Sequence, residues 1–82
     1  MALAAPSNLV ATVISSSRID ITWQNNDDYE GIRVWRGVGG GDLYIHKILL
    51  GSSEYLEDSG LTTGIAYCYE VVGFNLLPRQ HW

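Results

Sequence analysis

Apolar and polar positions alternate in short runs along this chain, and turn residues separate the runs every few residues. That rhythm predicts strands. The i, i+3, i+4, i+7 spacing of an amphipathic helix is not found. The first strand is read as NLVATVI, residues 8–14, entered through Pro6, whose missing N–H suits an entry or an edge. Residues 15–18 (SSSR) form a turn. RIDITW (18–23) is the second strand, with Ile19, Ile21 and Trp23 on one face and Arg18, Asp20 and Thr22 on the other. A polar loop, QNNDDYE (24–30), leads into GIRVWR (31–36), where Ile32 and Val34 oppose Arg33 and Trp35. The glycines of GVGGGD (37–42) permit positive φ in the next connection. LYIHKILL (43–50) and EYLED (54–58) are strands four and five; after the turn SGLTTG, IAYCYEVVGFN (65–75) is the sixth. The expectation is an all-β, two-sheet sandwich over residues 1–75. Residues 76–82 are a tail that fits no strand or helix rule.

Composition narrows the function. At 46% apolar and 17% charged, the chain is globular, not disordered. With only 82 residues it is one domain, burying about 60–65% of its unfolded surface, so each strand matters to a marginal stability. A net charge of -4, with Arg18, Arg33, Arg36, Lys47 and Arg79 scattered, argues against nucleic acid as a partner. No apolar run reaches the ~18 residues of a membrane span. The opening MALAAPS lacks the features of a signal peptide, so the expectation is a cytoplasmic protein or a piece cut from a longer one.

Four stretches together resemble the fibronectin type III domain, an immunoglobulin-like sandwich. They are Pro6, Leu9 and Ala11 in AAPSNLVA; Trp23 in IDITW; DSGL followed by Tyr67, six residues after Leu61; and YEVVGFN, ending in Asn75. The likeness is strongest to the bacterial version found between the domains of secreted polysaccharide-degrading enzymes. It implies a buried Trp23 between the sheets, and a tyrosine corner in which buried Tyr67 bonds backbone near Leu61. It also implies a non-catalytic spacer or interaction module with neighbouring domains in a parent protein, and an extracellular setting.

The chain departs from the family at its end. The resemblance implies a seventh strand after Asn75, but LLPRQHW has Pro78 in its middle and no alternation. The sixth strand would then present a bare edge, which recruits other chains. Trp35, Val72 and Phe74, with Glu70 among them, would form an outward patch, and Leu77 and Trp82 add apolar surface in the tail. Three outcomes are open: the tail covers the patch, a second copy pairs with the edge to give a homodimer, or the strand lies beyond the chain's boundary.

Candidate chemistry is sparse. His46 reads as a solvated strand residue, and His81 has no partner in sequence. Cys68 sits beside Glu70, which disfavours a thiolate. Asn25, Asn26, Asp27, Asp28 and Glu30 are dense in oxygen, but their spacing does not match a calcium loop, and such residues favour turns. GVGGG lacks the Lys-Ser/Thr and helix of a phosphate loop. No catalytic residue, cofactor or metal is expected. Exposed aromatics (Trp35, Phe74 and Tyr44) leave a polysaccharide-binding module as the alternative.

Overall fold

The computed structural model describes residues 3–76. Leu77 and Trp82, with the rest of the tail, lie outside the described residues. The strands are β1 (Ser7–Ser15), β2 (Arg18–Gln24), β3 (Gly31–Val38), β4 (Tyr44–Leu50), β5 (Tyr55–Asp58) and β6 (Tyr67–Phe74). They form two antiparallel three-stranded sheets, β1-β2-β5 and β4-β3-β6. Among the described residues there is no helix and no seventh strand, and β6 is the last strand of its sheet.

The alternation of β2 and β3 puts one face of each strand between the sheets. Ile21, Trp23, Ile32 and Val34 are buried there, with Ile19, Leu49, Leu56, Tyr69 and Val71 packed around them. Trp23 keeps its indole N–H satisfied by donating to Asn25 Oδ1 at 3.0 Å, as a buried donor requires. The fifth buried hydrophobic residue is unexpected. Tyr29 lies in the loop read as purely polar, yet its ring enters the core and its hydroxyl donates to the Ala4 carbonyl. The ring lies so close on Gly73 that any side chain there would collide with it. Gly73 is therefore the site of a close approach between loop and strand.

One boundary and the regularity of two strands differ from the sequence expectation in ways that matter. Strand β3 continues through Gly37 to Val38, because β6 pairs with it along that whole length, Gly37 opposite Cys68 and Val38 opposite Tyr67. Near the start of β1 the register shifts between Ser7 and Val10, and Asn8 takes a positive φ of 56°. A short polar residue tolerates that conformation, and the side chain bonds across to Gln24 at 3.0 Å. A bulge in β4 shifts the register between Val34 and Trp35 and leaves His46 without a cross-strand partner.

Candidate functional site: a buried carboxylate and an open cleft

The densest polar cluster is built from four strands. Asp58, at the end of β5, is 3% exposed and receives donors from every strand of the opposite sheet. Arg36 of β3 donates through Nη1 to both carboxylate oxygens at 3.0 Å. Tyr69 of β6 donates its hydroxyl to Oδ2 at 2.6 Å. His46 of β4 places Nε2 at 3.0 Å from Oδ1. An ionised carboxylate only accepts, so His46 carries a proton on Nε2. Burial pushes the Asp58 carboxyl up, but the hydrogen bonds from Tyr69 and Arg36 and the charges of His46 and Arg36 outweigh it and hold it below the ordinary carboxylate range. Burial, reinforced by the Asp58 bond and charge, raises Tyr69 far above an ordinary phenol. The arrangement of the cluster joins the two sheets. The reading of His46 as solvated is thereby corrected: the β4 bulge turns it inward to Asp58.

The tyrosine corner has the expected kind of partner, backbone beside Leu61. Tyr67 is half-buried, not buried, and its hydroxyl accepts from the Thr62 N–H at 2.8 Å. Leu61 is half-buried too, and its N–H donates to the Ser17 carbonyl at 2.9 Å, tying this turn to the β1–β2 turn. Asp27 spends its carboxylate on the Ala4 and Asp28 N–H groups, and no three metal-ligating side chains converge among the described residues.

On the outer face of sheet β4-β3-β6, the register aligns Leu50, Gly31 and Phe74 in one row, Ile48, Arg33 and Val72 in the next, and Ile45, Trp35 and Glu70 in a third. Trp35, Val72 and Phe74 thus share the face expected of them, with Glu70 beside them. Sequence reasoning missed the β4 contribution. Leu50 and Ile48 are 79% and 62% exposed, and Ile45 is exposed as well. Phe74 is already in contact with two residues of β3. Its ring covers Gly31, and the Arg33 guanidinium stacks over it at 4.0 Å from the centroid.

Between β1 and the free edge of β6 lies a cleft of about 450 Å³. Pro6 and Leu9 form one wall, Tyr69, Val71 and Val72 the other, with Trp23 between them and Glu70 at the rim. Every residue of β1 is exposed, despite its apolar sequence.

No protein-family model matches the chain. Its sequence is 34% identical over 77 residues to an amylopullulanase of Thermoanaerobacterium thermosulfurigenes, and 30% identical over 75 residues to one of Thermoanaerobacterium saccharolyticum. These stretches cover 93% and 92% of the chain, but the chain spans only 4% and 6% of the length of those relatives. Among solved structures, a fibronectin type III domain of human collagen XX superposes with a TM-score of 0.70 at 21% identity, over 87% of this chain and 82% of that one. A computationally redesigned β-sandwich protein gives 0.68 at 21% identity, over 99% of each chain. With two sheets ordered β1-β2-β5 and β4-β3-β6 around Trp23, the chain is a sandwich of the fibronectin type III fold, similar in sequence to a short segment of bacterial amylopullulanases.

Proposed function

We propose that the chain is a non-catalytic module of a larger polysaccharide-degrading protein, holding neighbouring domains apart and making contacts through its free β6 edge and apolar outer face. The observation that carries this reading is the match of nearly the whole chain to 4% of an amylopullulanase, as expected of one small fold unit within a long enzyme. The buried Asp58 cluster fits it too, since its donors are spent on holding the sheets together.

Self-association through the β6 edge is a finer use of the same surface, supported by β6 ending its sheet among the described residues and by the exposed Ile45, Ile48 and Leu50 on the outer face of that sheet. Carbohydrate binding has weaker support: Tyr44 is exposed, but Trp35 and Phe74 are half-buried and the Arg33 guanidinium already stacks on Phe74. The test is to incubate the isolated chain with pullulan and amylose. The expected result is no reducing sugar released and no change in tryptophan fluorescence. Hydrolysis would overturn the non-catalytic reading. A fluorescence change abolished by Trp35→Ala would replace the spacer with a sugar-binding module.

A further inference from the structure

We propose that the outer face of sheet β4-β3-β6 docks a second copy of this chain, sheet face to sheet face about a two-fold axis, as a weak and reversible dimer. This rests on reading that face as a contact surface and names what it contacts.

Three observations lead there. First, the two outer faces of the sandwich differ. On the other sheet, β2 and β5 carry polar side chains that satisfy one another: Arg18 bonds Asp20 at 2.9 Å and pairs with Glu57, and the Tyr55 hydroxyl donates to Asp20 at 3.0 Å. On β4-β3-β6 the outer surface instead holds Ile45, Ile48 and Leu50, exposed by 49%, 62% and 79%, beside half-buried Trp35 and Val72. A contiguous apolar surface of this kind marks a contact. Second, the face carries one charge of each sign, and neither has an ionic partner. Glu70 is exposed and has no hydrogen bond or ion pair among the described residues, while Arg33 has only the Phe74 ring. The two cancel, so the chain's net charge of -4 lies off this face. A partner of uniform charge would satisfy one of them and repel the other. A second copy satisfies both, because a two-fold contact needs a surface complementary to itself. Third, β4 ends its sheet on this side and is bulged between Ile45 and Lys47. A bulged strand offers no even main-chain ladder, so contact here is made by side chains of the face and not by the edge.

The register shows how two copies fit. A two-fold axis crossing the strands between the Ile48, Arg33, Val72 row and the Ile45, Trp35, Glu70 row sets Ile48 against Ile45 of the second copy. The same axis sets Arg33 against the second copy's Trp35, one strand from its Glu70, where the guanidinium meets a ring and a carboxylate together. The strands are seven or eight residues long. Three of them about 4.8 Å apart, rising about 3.3 Å per residue, present about 350–400 Å² of flat sheet, and a pair of copies buries on the order of 1,000 Å² of accessible surface. That is the low end of specific interfaces, where association is transient.

The experiment follows the full chain by sedimentation equilibrium and NMR from about 10 μM to about 1 mM, the range a small transient interface requires. Reductant is present, because exposed Cys68 lies on the same face, opposite Gly37. The expected result is a mass that rises with concentration from 9.1 kDa toward twice that value, with concentration-dependent shifts at Ile45, Ile48 and the Trp35 indole. Ile48→Lys, at an exposed site that leaves the fold intact, should weaken association at least about tenfold. Arg33→Glu and Glu70→Arg should each weaken it a few-fold, and the double variant, which exchanges the two signs, should recover it. A purely structural role for either residue gives no such recovery. A mass of 9.1 kDa at every concentration overturns the inference and leaves the spacer reading in place. A dimer that Ile48→Lys does not weaken, or whose shifts fall away from these rows, overturns the face as the site of contact. Hydrolysis of pullulan by the isolated chain would overturn the non-catalytic reading without touching this one.

Discussion

The two long sides of the sandwich are built to opposite rules. On the β5 side, one carboxylate gathers a donor from each of β3, β4 and β6, so a four-residue strand is fastened to the whole opposite sheet. On the β1 side, a nine-residue strand is laddered to β2, and its further bonds to turns and loops fall at its two ends. Ser16 and Ser17 accept from Thr63 and Leu61 at one end, and Ala5 and Ser7 accept from Asn26 at the other. Its middle is paired to β2 but roofs an open cleft. Strand length therefore does not set how firmly an edge is held. The number of groups on the facing sheet that it satisfies does, because a buried polar group is costly when unpaired and an exposed apolar one costs little.

That contrast can be broken from the middle outwards. Trp23→Ala should be the most damaging change, because it empties the space between both sides; about 3–5 kcal/mol is expected, near the whole stability of a domain this small, read as loss of a cooperative urea transition. Asp58→Ala should cost about 3 kcal/mol, since it strands Arg36, His46 and Tyr69 without their acceptor. Acid sharpens the same point. The folded Asp58 carboxyl lies below its unfolded value, so its contribution is present above about pH 4 and is lost as pH falls through the folded value. Urea midpoints measured from pH 6 down to pH 2 should therefore fall less steeply in Asp58→Asn than in the native chain. An equal slope would show that Asp58 is not the group held low.

Gly73→Ala tests the packing of Tyr29 on the strand. The new methyl would collide with the ring, and about 1–3 kcal/mol of overpacking is expected, with the Tyr29 ring signals displaced in NMR spectra. Tyr67→Phe removes one acceptor for the Thr62 N–H and should cost about 1 kcal/mol by urea unfolding. The smallest effect belongs to the open side. Val13→Ser, at a site 72% exposed on β1, should stay within about 0.5 kcal/mol of the native chain. A loss as large as that of Gly73→Ala would mean that something covers β1 in solution.

The outer face shows how far alternation carries and where it stops. Trp35, Val72 and Phe74 were placed together by parity along β3 and β6, both regular there, and the registers agree. Parity fails in β4. Unbroken alternation groups His46 with Ile48 and Leu50; the bulge resets the phase, so Ile45 joins Ile48 and Leu50 outside while His46 turns in. No residue type marks that bulge in LYIHKILL. Tyr29 escaped for a related reason: a single aromatic in a polar loop has no period to reveal its burial.

The sequence by itself determined the six strands, the two-sheet class, and the central residues Ile21, Trp23, Ile32 and Val34, because side-chain parity along a regular strand is a local property. Only the tertiary structure decided that Asp58, His46, Arg36 and Tyr69 meet, and that β1 and β6 stand apart around a cleft. Those outcomes depend on where bulges fall and which strands face one another across the sheets, and such distances are set by packing between segments far apart in the chain.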